Sequence, residues 1–229
     1  MLILNNHRLI YLKETPYAPS LNSFQATIKK FINLKRDEYI SLLYAQRQEK
    51  ITKKSLSNEF PKATLDIVPL GGKSSIKDFI QRFDLLQTVT IKLLETNNEL
   101  DNNEFFRMLR KQQELTNSDK TKLEFGSKHG LDKEYMEDQL AIAIGQGNAN
   151  VNLEGKDNQG NVIKGNNDSF KINIFIDAIS NNLREVSNQL FNRFQNLRNR
   201  NQIDLGEIQD REKLIEKLRD SNILHMNNE

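Results

Sequence analysis

Between residues 64 and 144 the sequence alternates between the two-residue period of a strand and the ~3.6-residue period of a helix. That order limits the chain to architectures that layer helices on a sheet. TLDIVPL (64–70) reads as a strand, SIKDFIQRFDLL (75–86) as a helix and TVTIKLLE (88–95) as a second strand. An amphipathic helix follows over 101–115 through Phe105, Phe106, Leu109 and Leu115, then a short strand KLEF (122–125) and a helix over 133–144.

Upstream, RLIYLK (8–13) reads as a strand stopped by Thr15, Pro16 and Pro19. Ser20 then caps a helix expected to reach about Asn33, with Leu21, Phe24, Ile28, Phe31 and Ile32 on one face. YISLLYA (39–45) has the composition of another strand, and residues 46–58 show little periodicity. Downstream, NANVNLEGKD (148–157) and SFKINIFID (169–177) both alternate with period two and are separated by the turn-rich DNQGN and KGNND, a hairpin signal. The expected fold is α+β: a mixed, partly antiparallel sheet with ferredoxin-like β-α-β pieces.

From Ser180, read as an N-cap, the pattern turns helical, and Leu183, Val186, Leu190, Phe194 and Leu197 lie on one stripe. A second helix over 205–218 would complete a C-terminal helical hairpin. The expected division is a domain at 1–178, the hairpin at 179–222 and a frayed tail at 223–229.

The chain has no cysteine, so thiolate catalysis, disulfides, iron–sulfur clusters and the usual structural zinc sites are excluded, and a reducing cytoplasm is the expected compartment. The N-terminal MLILNNHRLIYLKE does not read as a signal peptide or anchor, and no apolar run approaches the ~18 residues of a membrane span. Net charge is +2, yet residues 1–62 hold 11 Lys/Arg against 5 Asp/Glu. Within that excess, Lys29, Lys30, Lys35, Arg36, Lys53 and Lys54 form a candidate phosphate-binding cluster, or else a solvated helical face interrupted by acids.

Two local motifs touch catalytic chemistry. LGGKSS (70–75) could aim backbone N–H groups and an ammonium at phosphate, but Ile67 occupies the first glycine position of a Walker A loop. A strand-to-helix turn capped by Ser75, with Asp78 completing a capping box, serves as well. Glu154-Gly155-Lys156 could hold a divalent metal with an upstream acid, Asp66 or Asp138, while Lys156 positions a water. His7, His129 and His225 lack metal-ligand spacing, DNQGN and GNND lack the ligand pattern of a calcium loop, and only Phe175 offers an aromatic on a polar strand face. No cofactor is expected.

RLIYLKETPYAPSLNSFQATIKKFI together with NVNLEGKDNQGNVIKGNNDSFKINIFID resembles an uncharacterised group of bacterial proteins encoded near phage-defence and mobile-element genes. The resemblance implies a setting and no chemistry. The expected function is a non-enzymatic accessory protein that binds nucleic acid or a partner subunit, in anti-phage defence. Homo-oligomerisation would run through the C-terminal stripe, and Arg184, Arg193, Arg198 and Arg200 would suit a duplex backbone or an acidic partner equally well. The alternative is a metal-dependent nuclease using Glu154 and Lys156.

Overall fold

The structure, a computed structural model, describes residues 1–3, 8–46, 52–94, 103–176 and 180–203, and the backbone alone at 99–100 and 207–208. The chain divides into two compact units, one made of Met1–Ile10 with Val68–Glu229 and the other of Tyr11–Ile67.

The first unit opens with two short antiparallel strands, β1 (Leu2–Ile3) and β2 (Arg8–Leu9). The second unit is helical, with α1 (Leu21–Gln46) and α2 (Lys53–Glu59). The chain then builds α3 (Lys73–Ile80), β3 (Leu85–Leu93), β4 (Glu99–Leu100), α4 (Glu104–Leu115), β5 (Lys122–Gly126) and α5 (Lys133–Gly145). It continues through β6 (Ala149–Lys156), β7 (Val162–Asn166), α6 (Leu183–Asn199) and β8 (Glu207–Ile208).

The main sheet has the order β5-β3-β6-β7, and each neighbouring pair is antiparallel. Because β5 and β6 both oppose β3, they run in the same direction on either side of it, joined through α5. That is the split β-α-β arrangement of ferredoxin-like folds. The class is α+β, and the parallel pairing expected of a mixed sheet is absent among the described strands.

Alternation decides which face is covered. In β6, Ala149, Val151, Leu153 and Gly155 are buried while Asn150, Asn152, Glu154 and Lys156 point out. The buried row meets α3 and α5 through Ile76, Phe79, Ile80, Met136, Leu140 and Ile144. Phe79 stands edge-on to Phe83 at 5.7 Å and to Phe170 at 5.9 Å between ring centroids, a favourable aromatic geometry. The opposite face of the sheet stays open and polar.

Several elements depart from expectation for identifiable reasons. Residues 39–45 continue α1 rather than forming a strand: no Gly or Pro interrupts positions 20–60, so a helix once started propagates through them. Residues 64–70 form no strand, although the Leu70 carbonyl accepts from the Ile172 amide at 2.9 Å. The strand returning beside β6 is β7, directly after the DNQGN turn, and 169–177 contributes no strand among its described residues. The chain instead bends through a short 3-10 turn at Asn167–Phe170. Gly72, not Ser75, precedes α3, with no side-chain cap, and Asn182, not Ser180, caps α6 by accepting from the Arg184 amide at 2.9 Å. The second C-terminal helix expected at 205–218 lies outside the described residues, apart from the β8 backbone.

A smaller core of Ile3, Phe194 and Ile203, with Met1, Ile10, Leu70, Ile172 and Leu197 against it, joins α6 to the terminal strands of the same unit. In the helical unit, Leu56 of α2 is fully buried and Ile40 of α1 nearly so. Polar ties reinforce this packing. Arg36 donates from Nε to the Phe60 carbonyl at 2.6 Å and from Nη2 to the Ser57 carbonyl at 2.9 Å. Asn33 accepts from the Ala63 amide at 3.0 Å and donates to its carbonyl at 3.3 Å. No helix among the described residues is long and apolar enough to cross a membrane.

Candidate functional site

On the open face of the sheet, Thr88 and Thr90 of β3 lie between Glu124 of β5 and Glu154 of β6. Glu154 sits opposite Lys164 of β7 and pairs with it at 2.8 Å, and Glu124 pairs with Lys122. Lys122, helped by Thr90, holds the Glu124 carboxyl below the usual carboxylate range. A shallow depression of about 450 Å³ crosses this face, lined among others by Thr88, Thr90, Asn152, Glu154, Lys164 and Ser169.

The nuclease geometry does not assemble there. Lys156 projects from the same exposed row as Glu154, as the two-residue spacing requires. Asp138, however, lies on α5, which packs against the opposite face of the sheet, and it pairs with Lys73 at 3.2 Å. Asp66 belongs to the other unit. Among the described residues no group of three or more His, Cys, Asp or Glu side chains is placed to hold a metal ion.

LGGKSS resolves into packing. Gly71 bridges Lys171, and a Cβ on it would stand 2.5 Å from Ile144 Cγ2, so the glycine permits close approach of the backbone to α5. Lys73, the residue that would reach a phosphate, points to Asp138.

In the helical unit, Lys29, Lys30, Lys35, Lys53 and Lys54 are exposed, but they do not form one patch. At ~100° per residue, Lys29, Lys30 and Lys35 point in three directions around α1. Lys35 is bound to Glu38 at 2.7 Å, and Lys53 lies 5.3 Å from the centroid of the Tyr44 ring, a cation–π contact. Arg36 is withdrawn: its side chain is 14% exposed, and its hydrogen bonds tie α1 to α2 and the residues after it. The same helix leaves Phe31, Ile32, Leu34, Tyr39 and Leu42 exposed, Phe31 to 59% and Leu42 to 62%. That apolar surface escaped sequence reading because residues 39–45 resembled a strand, which cut the helix in two.

The C-terminal stripe divides. Leu190 and Phe194 are buried and Leu197 packs on the small core that holds Phe194, whereas Val186 is half-buried and Leu183 is 82% exposed. Phe175 is exposed, though not on a strand.

No family model, curated protein or solved structure matches this chain.

The turn between β6 and β7 shows what its acidic and amide residues do. Asp157 Oδ1 accepts from the amides of Gln159 and Asn161, each at 2.8 Å, and Oδ2 accepts from Asn161 Nδ2 at 3.0 Å. These bonds, the Asn161 side chain first, hold the carboxyl below the usual aspartate range. Its oxygens serve the turn rather than a metal. Because the folded pKa is depressed, the stabilisation is present above the unfolded value and is lost as pH falls through the folded one. Asp157→Asn retains an acceptor but removes the charge. It should therefore flatten the acid limb of stability below about pH 4, measured as urea midpoints at successive pH values. An unchanged acid limb would remove this role for Asp157.

Proposed function

We propose that the chain is a non-enzymatic accessory protein whose helical unit docks a protein partner along α1. The observation that carries this reading is the row of large apolar side chains that α1 keeps in water, more than a helix needing only to cover its own α2 would carry. Aromatic and aliphatic groups with charges between them are the usual anchors and rim of a protein interface. The resemblance to proteins encoded near phage-defence genes is what supports anti-phage defence as the setting of such a subunit.

The test is chemical cross-linking of the full chain in cells that encode it, followed by mass spectrometry. Lys29, Lys30 and Lys35 should cross-link to one polypeptide species, and the links should fall at least about tenfold in Phe31→Ser/Leu42→Ser, because truncating two anchors costs over 1.4 kcal/mol. No α1 cross-links, or links indifferent to the variant, would overturn the reading.

A second reading, nucleic acid, rests on the exposure of Lys29, Lys30, Lys53 and Lys54 alone, since they are not gathered into one patch. If all four contact phosphates, log affinity should fall with log salt at a slope of roughly −3 to −4. Joint replacement of these four by Glu should abolish binding. Arg36 should be left intact, since removing it would unfasten α1 from α2. Absence of DNA or RNA binding at low salt would dismiss this reading.

A further inference from the structure

The spacing of the exposed row on α1 says more about its occupant. Phe24, Ile28, Phe31, Lys35, Glu38 and Leu42 recur in alternating steps of four and three residues, the a/d seam of a coiled coil. At ~100° per residue this seam lies roughly half a turn from Ile40, which is buried, and away from Asn33 and Arg36, which bind the unit's own backbone. The chain therefore uses one face of α1 internally and leaves the seam unpartnered from Phe31 to Leu42. Ile32 and Tyr39, both exposed, flank it on one side and Leu34 on the other.

The two charged seam positions select the partner. A parallel copy in register would set Lys35 against Lys35 and Glu38 against Glu38. An antiparallel copy, related by a two-fold axis passing between Arg36 and Asp37, sets Lys35 opposite Glu38 twice and Phe31 opposite Leu42 twice. The Lys35–Glu38 pair seen within one chain at 2.7 Å would exchange for two pairs between chains. We infer that α1 is a self-complementary antiparallel seam and that the partner it docks is a second copy of this chain. This rests on the partner reading above and identifies the partner; the buried Leu190 and Phe194 of α6 are not part of the contact.

Sedimentation velocity of the purified full chain provides the test. The wild-type chain should form a dimer at micromolar concentrations. Glu38→Lys and Lys35→Glu should each weaken it by about tenfold or more, because each puts like charges across the seam. An equimolar mixture of the two variants should restore a dimer, since one copy then offers two lysines and the other two glutamates. The double exchange Lys35→Glu/Glu38→Lys should restore it within a single species. Unchanged circular dichroism controls for folding, and recovery in the mixture excludes a folding defect as the cause.

A wild-type chain that stays monomeric up to ~100 µM, or a dimer indifferent to both single reversals, overturns the second-copy inference. If α1 nevertheless cross-links to a different polypeptide in cells, the broader partner reading survives that result. If α1 cross-links to nothing, both fail.

Discussion

Gly155→Ala is expected to lower stability by about 3 kcal/mol or more, the upper range for forcing an extra methyl into a packed interior. A Cβ at this position would collide with the Leu85 carbonyl oxygen and come within 2.8 Å of Phe83 Cδ1 and 3.0 Å of Leu86 Cα. Two of those obstacles are backbone atoms of β3, which cannot swing aside as a side chain can. β3 is also irregular here, its register to β6 shifting between Leu86 and Thr88. Gly126, in β5, supplies the control: nothing lies within 4 Å of its notional Cβ, so Gly126→Ala should be neutral or gain up to about 1 kcal/mol. Urea unfolding should show a lowered midpoint for Gly155→Ala and an unchanged or raised one for Gly126→Ala. Equal midpoints would mean that the approach of β3 to β6 at Gly155 is not as close as described.

A comparable loss is expected from Asn167→Leu, about 3 kcal/mol. The Asn167 side chain is buried, accepting from the Val151 amide at 2.7 Å and donating to the Ala149 carbonyl at 3.0 Å. The side-chain amide thus continues the ladder beyond the last β6–β7 pair, Asn152 with Asn166. An apolar replacement strands both groups away from water, at about 1–3 kcal/mol each. Asn167→Asp is the sharper probe, because an ionised oxygen would face the Ala149 oxygen where an N–H now donates. Its carboxyl should titrate above the ordinary aspartate value when folded. The variant should then be more stable in mild acid and lose that advantage as pH rises through the raised pKa. Thermal unfolding of the variant across pH 4 to 8 reads this out; a flat profile would show the site to be open to water.

Much of the larger unit was legible in the sequence because its signals are local. The inward row of β6, the amphipathic helix α4 and the helix α5 follow from periodicity, whereas the N-caps of the two helices, Asn103 and Asp132, emerge only from the structure. What failed needed information from distant parts of the chain. SFKINIFID alternates like a strand, yet VIKGN reached β6 first because the five-residue turn closed by Asp157 delivers Val162 opposite Lys156. YISLLYA has strand composition but inherits helix from its neighbours. Of the candidate sites, the exposed lysines were readable, whereas the tethering role of Arg36 depends on carbonyls from Ser57 and Phe60, more than twenty positions away. The burial of Phe194 depends on Ile3 and Ile203, which no pattern within α6 reveals.

The central position of β3 sets the order in which this unit can be completed during synthesis. Both of its neighbours come later in the chain: Leu123 of β5 pairs with Ile91, and Leu153 of β6 pairs with Val89. A growing polypeptide therefore presents β3 with two open edges until β5 emerges, and with one until β6 and the buried row beneath α5 follow. Through that interval the unpaired edge of β3, which carries the apolar Val89, Ile91 and Leu93, is a β-rich stretch prone to mispairing. Nascent chains stalled just before residue 149 should accordingly be protease-sensitive and held by chaperones. Those extended past Asn166 should become resistant in a single step.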